Sequence, residues 1–199
     1  MSVDFWNHVY GSDDHAYGTT PNDFVREHAA RIPPGPVLCL AEGEGRNAVF
    51  LAQRGHAVTA VDLSPVGLAK AERLAEERQV ALETVCADLA TYQPPVGHFA
   101  GVVAIFAHVP PAVRGPMYAR AIAALRPGGV MLVEVYAPRQ LERGTGGPKD
   151  PAMLVDLDTL RGELRGLTLE LAQEVERDVV EGRLHTGRAV TLQLIGTRP

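Results

Sequence analysis

Two glycines one residue apart, followed at later strand ends by two carboxylates, set the chemistry open to this chain. The stretch Ala41-Glu42-Gly43-Glu44-Gly45-Arg46-Asn47-Ala48 joins an apolar run, Pro36–Leu40, to a helical pattern, Arg46–Gln53. A backbone without Cβ approaches a ligand closely, and a helix N-terminus offers unpaired N–H groups. Taken as G-x-G-x-x-A, the run matches a dinucleotide-type fingerprint; alone it also describes a tight turn with no ligand. Asp62 ends the next apolar run, 17 residues after Gly45. A carboxylate there faces the first loop across a crevice and accepts hydrogen bonds from two ribose hydroxyls. The plainer role, capping the following helix, is already served by Ser64. Asp88 closes the third run in Cys86-Ala87-Asp88-Leu89. It suits the exocyclic amine of adenine, with the Leu89 N–H offered to the ring, or else a local turn.

Three further groups stand out. His108 follows the fourth apolar run, in Phe106-Ala107-His108. An imidazole near its ordinary pKa of about 6.5 serves as a general base if it touches an acceptor proton, and otherwise bonds a neighbouring loop. Phe5, Trp6, Tyr10 and Tyr17 are four of the eleven aromatic residues. They form either a segment pinned by hydrophobic contact or a lid that excludes water and presents ring faces to a cation, with Tyr17 foremost and Trp6 and Tyr10 behind it. The loop Gly144–Lys149 lacks P-loop spacing and reads as a mobile rim, with Arg139 and Lys149 as contacts for an anionic acceptor. The remaining histidines and the two cysteines show no metal-ligand spacing, so no metal is expected.

These residues need elements to position them. Short apolar runs alternate with helical segments: strands at Pro36–Leu40, Ala57–Val61, Ala81–Ala87, Val102–Phe106 and Val130–Val135, and helices at Arg46–Gln53, from Pro65 to about Arg78, and at Val113–Leu125. That rhythm predicts a parallel α/β sheet with helices on both faces. Gly55 suits the C′ position of the first helix, and Ser64-Pro65 reads as N-cap plus first helical residue. A short helix near Asp158 follows. Leu167–Arg177 and Arg188–Thr197, joined by Glu181–Gly187, form an antiparallel hairpin. The 199 residues make one domain. It divides into an N-terminal lid segment (1–35), a ligand-binding core (36–136), a rim loop (137–157) and a C-terminal helix and hairpin (158–199).

Composition narrows the partners. Nineteen basic against 24 acidic residues, with no basic run, argue against nucleic acid. No apolar run reaches the roughly 18 residues of a membrane span, and the N-terminus lacks a secretory pattern. Cys39 and Cys86 both lie in apolar runs and read as buried thiols, which with the missing leader points to the cytoplasm. Oligomeric state is not encoded in any of these features.

The three stations, the Arg126-Pro127-Gly128-Gly129 stop and the closing hairpin together resemble the class I S-adenosylmethionine-dependent methyltransferases over residues 36–199. FWNHVYGSDDHAYGTTPNDF, LAEGEGRNAVFLAQRGHAVTAVDLSPVGLAKA and GTGGPKD are similar to the small bacterial enzymes of the tellurite-resistance and thiopurine-type group. The resemblance implies a Rossmann-like, seven-stranded, mostly parallel sheet and S-adenosylmethionine as cofactor. It implies that Glu42, Gly43 and Gly45 line the methionine part, with Arg46 and Asn47 positioning the loop or the cofactor carboxylate. Asp62 and Leu63 would hold the ribose, Asp88 and Leu89 the adenine, and Phe106, Ala107 and His108 would lie beneath the sulfonium. The chain departs from the class at Cys39, where an acid is usual, and at Ala41, where glycine is usual. The activity expected is methyl transfer to a small-molecule acceptor. An NAD-dependent oxidoreductase shares the glycine turn and Asp62 but leaves the hairpin unexplained, and a non-catalytic cofactor-binding module is the third reading.

Overall fold

The computed structural model describes residues 2–199. Seven strands form one sheet: β1 (Val37–Leu40), β2 (Val58–Asp62), β3 (Glu83–Cys86), β4 (Phe99–Ile105), β5 (Leu125–Tyr136), β6 (Thr168–Glu181) and β7 (His185–Thr197). Their order is β3-β2-β1-β4-β5-β7-β6. The first five are parallel, and β7 runs antiparallel to both β5 and β6. Six helices complete the chain: α1 (Val3–Tyr10), α2 (Asp23–His28), α3 (Arg46–Gln53), α4 (Pro65–Glu77), α5 (Pro111–Ala124) and α6 (Leu157–Glu163). None of the described helices is long and apolar enough to cross a membrane.

Alternation along each strand builds two cores. Leu38 and Leu40 face α5 and α6 through Met117, Tyr118, Leu160 and Leu164. Val37 and Cys39 face the other way, against Phe24, Val25, Ala48, Leu51 and Leu68 of α2, α3 and α4. The direction of winding reverses between β1 and β4, so their following loops diverge and open a crevice at the strand ends.

The expected helices and strands are present, with shifted ends. Strand β4 starts three residues before Val102, and β5 runs back through Arg126-Pro127-Gly128-Gly129 to Leu125. The hairpin strands reach inward to leave only Gly182–Leu184 as the turn, where Gly182 takes a left-handed φ of 65°. The polar residues of 178–188 hid this extension, because β6 alternates exposed charges with half-buried positions instead of forming an apolar run. Cys86 is a correction. It is exposed, because β3 is the sheet edge with β2 as its one strand neighbour.

The N-terminal arm, residues 2–22, is docked across the strand ends by polar contacts. The Lys70 ammonium of α4 donates to the carbonyls of Tyr10 (3.3 Å), Ser12 (2.8 Å) and Asp14 (2.7 Å) and to Glu44 Oε1 (2.6 Å). Asn22 N–H donates to Asn47 Oδ1 (2.9 Å). Both side chains of the Lys70–Glu44 pair are nearly inaccessible, at 4% and 2%. Removing one partner of such a pair strands a buried charge and typically costs 3–5 kcal/mol. Lys70→Met should therefore lower the unfolding free energy by about that much in urea titration, and adding Glu44→Gln should restore a large part. Equal stability of the wild type and Lys70→Met would show that this pair does not hold the arm.

Candidate active site

The crevice at the ends of β1, β2, β3 and β4 is a single cavity of about 810 Å³, within the range of cofactor and small-molecule sites. Glu42, Arg46, Asn47, Asp62, Leu63, Asp88 and Leu89 line it on one side. Trp6, Tyr10, Tyr17, Phe106, His108 and Lys149 line the other parts. Gly43, Gly45, Ala107 and Arg139 are not in its wall. The two glycines are needed for close packing elsewhere. A Cβ on Gly43 would lie 2.6 Å from the Tyr10 hydroxyl, and one on Gly45 would lie 2.6 Å from the Ala71 Cβ of α4. Arg139 is exposed and pairs with Glu174 of β6 at 2.9 Å, outside the crevice, which removes it as a rim contact.

Each carboxylate has a defined task. Glu42 Oε1 accepts from Asn47 N–H (2.9 Å) and Ala48 N–H (2.8 Å), satisfying the first turn of α3. Burial pushes its pKa up to about 7 despite those two bonds and the nearby Arg46. Asp62 accepts from Gly43 N–H through Oδ2 (2.9 Å) and from Ser64 N–H through Oδ1 (2.8 Å). It thus ties the loop after β1 to the loop after β2. Each of its oxygens keeps a further lone pair for a ligand hydroxyl. Burial raises its pKa, opposed by the backbone donors. Asp88 Oδ1 accepts from Ala90 N–H at 2.8 Å, so the local turn exists, and the residue lines the cavity as well.

Arg46 is engaged: Nη2 donates to Glu181 Oε2 at 2.6 Å, with both side chains buried. Burial pushes Glu181 up, yet His185, then Arg46 and Arg177, outweigh it and hold it down at about 2. Arg177 also forms a two-pronged contact with Glu134, at 2.9 Å each. Asn22 Nδ2 donates to Glu134 (2.6 Å) and Glu181 (2.8 Å). One buried network therefore joins the arm, the loop after β1 and the hairpin.

The aromatic residues run in a continuous chain across the cavity. Trp6 stacks on Tyr10 (5.5 Å between centroids), Tyr10 meets Tyr17 edge-on (6.3 Å), and Tyr17 packs on His185 (4.5 Å). His185 meets Phe106 edge-on at 4.8 Å, and Phe106, Tyr136 and His108 form a near-parallel stack. Burial, followed by Glu44, lifts the Tyr17 phenol to about 12, so it stays protonated at neutral pH. Burial also lowers His108 to about 3, far from the range of a strong base at neutral pH.

Gly146–Gly147 of the expected rim loop line the cavity, and His185, Glu44, Leu184 and Met153 line it without having been singled out in the sequence. For His185 the signal lay in the turn: a tighter hairpin carries it out of the loop and onto the first position of β7. Among the described residues no cluster of His, Cys, Asp and Glu could hold a metal ion.

Residues 37–129 match the family described as a methyltransferase domain. The chain shares its fold with solved S-adenosylmethionine-dependent methyltransferases. The protein in "Conversion of a disulfide bond into a thioacetal group during echinomycin biosynthesis" superposes with a TM-score of 0.80 at 21% identity, over 98% of this chain and 92% of that one. A TehB-like S-adenosylmethionine-dependent methyltransferase of Corynebacterium glutamicum gives 0.64 at 19% identity, over 98% and 95%. The [4+2]-cyclase SpnF gives 0.71 at 17%, over 98% and 92%. At these identities the likeness is one of fold. A 71-residue stretch, 36% of this chain, is 35% identical to hemagglutinin 1 of Eikenella corrodens and spans about a quarter (24%) of that protein.

The Glu42 environment makes a test. A carboxyl raised from the usual 4.5 to about 7 keeps, in the folded state, a proton that the unfolded chain has already lost. Its contribution to stability is full below about pH 4.5 and disappears as pH rises through about 7. Glu42→Gln should match the ligand-free wild type near pH 4.5. At pH 8 it should melt higher, by about 3 kcal/mol or about 6–12 °C. A difference independent of pH would place the Glu42 carboxyl in an ordinary, solvated setting.

Proposed function

We propose that this protein transfers the methyl group of S-adenosylmethionine to a small-molecule acceptor by in-line displacement. One observation carries the reading. Glu42, Asp62 and Asp88 stand just at or after the ends of three adjacent parallel strands and line one cavity, whose other walls carry Trp6, Tyr10, Tyr17 and Phe106. The methyltransferase-domain match over residues 37–129 supports it.

The residues present fit that cofactor. Asp62 has lone pairs left for two ribose hydroxyls, and Asp88 with Leu89 stands at the neighbouring strand end for adenine. Glu42 and Asn47 stand at the start of α3 for the methionine part. Cys39, where the class usually has an acid, is buried in the core beneath the loop. Glu42, three residues later, is the acid that reaches the cavity. The cofactor supplies an activated methyl on sulfur. The chain's own contribution is then placement: the arm and hairpin exclude water, and Trp6, Tyr10 and Tyr17 present rings to positive charge. Proximity and alignment of this kind supply up to roughly 7–11 kcal/mol of the barrier. The acceptor would enter past the rim at Gly146–Lys149.

Calorimetry with S-adenosylhomocysteine tests the reading. Wild type should bind it, and Asp62→Ala should bind about 10- to 150-fold more weakly, as expected for losing hydrogen bonds to a charged group. Unchanged affinity would remove Asp62 from the site. A thermal shift produced by NAD and not by S-adenosylhomocysteine would replace methyl transfer with redox chemistry.

A further inference from the structure

His185 opens β7 at the hairpin tip. Its ring stands between Tyr17 of the arm (4.5 Å between centroids) and Phe106 after β4 (4.8 Å), and all three line the cavity. The two ring nitrogens have different surroundings. Nδ1 lies 3.9 Å from Glu181 Oε2 and is shut off from solvent. Glu181 is held ionised, and a carboxylate only accepts, so the hydrogen belongs on Nδ1 and the lone pair on Nε2. Nε2 makes no hydrogen bond among the described residues and, unlike Nδ1, is not shut off. The side chain keeps 10% of its surface accessible. With Nδ1 closed, that opening lies on the rest of the ring, and the cavity that His185 lines is where water reaches Nε2. His108 differs: its Nδ1 faces the Met153 carbonyl at 3.3 Å, and its Nε2 is sealed without a partner.

The carboxylate behind the ring is fixed. Glu181 Oε2 accepts from Arg46 (2.6 Å), and Oε1 accepts from Asn22 (2.8 Å) and Arg177 (3.3 Å). Glu134 adds negative charge near His185, and Arg46 opposes it. Tyr17, Tyr136 and His108, the other titratable groups packed around the ring, are neutral at pH 7. Burial lowers the pKa of His185 itself, so Nε2 is unprotonated at pH 7.

We propose, resting on the methyl-transfer reading above, that His185 Nε2 is the proton acceptor of the reaction, with Glu181 orienting the ring from behind, and that the methyl acceptor is an uncharged molecule attacking through a hydroxyl or thiol. Charge in the cavity wall argues for an uncharged acceptor. Arg46 is committed to Glu181, and Lys149 is an exposed rim residue, so an anion meets no unpaired cation in the interior. The step balances. The attacking oxygen or sulfur bonds the methyl carbon as the carbon–sulfur bond of the cofactor breaks, and that bond's electron pair stays on the cofactor sulfur, leaving a thioether. The hydroxyl or thiol proton passes to Nε2 and then to water. A weak base suffices, because the hydroxyl or thiol becomes a strong acid once its oxygen or sulfur carries the methyl group. An amine has no use for such a base: its methylated ammonium is a weaker acid than protonated His185.

The test follows release of S-adenosylhomocysteine by the whole chain at saturating S-adenosylmethionine. Phenol, 1-naphthol and benzyl mercaptan, uncharged below about pH 8, are set against benzoate and benzylamine. Wild type should methylate at least one of the first three and neither charged compound. Its rate should be full above about pH 6.5 and fall below it, as His185 takes up a proton. The fall should persist in Glu42→Gln, which removes the other cavity group that titrates near neutrality. His185→Gln should turn over about 100-fold or more slowly and lose the fall, with S-adenosylhomocysteine affinity unchanged by calorimetry. The wild-type and Glu42→Gln profiles read the base without touching His185, so the test survives a His185 variant that folds poorly. A wild-type profile that is flat from about pH 5 to 8, wild-type rates in His185→Gln, or a wild type that binds S-adenosylhomocysteine yet turns over only a charged probe or none overturns this inference alone. Wild type that binds no S-adenosylhomocysteine overturns it together with the reading beneath it.

Discussion

The Lys70 ammonium decides where one wall of the cavity stands. It has three hydrogens and four oxygen neighbours within 3.3 Å: the Glu44 carboxylate and the carbonyls of Tyr10, Ser12 and Asp14. A buried charge is tolerated only when paired and hydrogen-bonded. Here the partners come from two places in the chain, the turn after β1 and the arm that precedes it. Satisfying the charge therefore requires the arm to cross the strand ends. Glu44 Oε2 extends the constraint to the Tyr17 N–H at 3.4 Å, which places the Tyr17 ring between Tyr10 and His185. The arm is both pinned to the domain and a wall of the cavity.

The second network does the same from the far end of the sequence. Arg46, Glu181, Arg177, Glu134 and Asn22 form one connected set. Its members come from four segments: the arm, the first loop, β5 and the hairpin. Gly182 sits so close to the arm that a Cβ would meet the Ala16 carbonyl at 2.4 Å. The hairpin tip thereby closes on the arm, and His185 is carried into the cavity with it. Loss of any one charged partner leaves an opposite charge buried, so the walls are coupled in stability although they are far apart in sequence.

The sheet, its helices and the strand-end positions of Asp62, Asp88 and His108 were legible because they depend on local signals. Continuous apolar runs marked β1, β2 and β4, buried throughout. Ser64 caps α4 through the Gly67 N–H as its type suggested. Asp62, Asp88 and His108 follow strands, so their positions came with the strand pattern. What local signals could not show was depth and company. The glycines looked like room for a ligand, and the structure uses that room for Tyr10 and α4. His108 looked like a base at its ordinary pKa, and complete burial changes that. Arg139 was a cation near the rim by sequence, but a long β6 offers it Glu174 instead. Each of these depends on residues more than twenty positions away.

Backbone geometry at the two central strand ends sets the character of the cavity beside Phe106. Ala41 and Phe106 both take a left-handed φ of 52°, a conformation that costs a residue with Cβ about 1 kcal/mol or more. At Phe106 the surroundings enforce it: the N–H donates to the Glu134 carbonyl at 2.7 Å, and the ring stacks on Tyr136 at 4.5 Å. The chain then bends tightly, with His108 N–H returning to the Phe106 carbonyl at 2.8 Å, the hydrogen-bond pattern of a γ-turn. That bend folds the His108 ring back over Tyr136 instead of letting it run out toward solvent. An extended Phe106 would point the next residues along the strand direction and give the imidazole water for its second nitrogen. The strain at one residue thus separates a solvated imidazole from one whose second nitrogen is buried without a partner among the described residues.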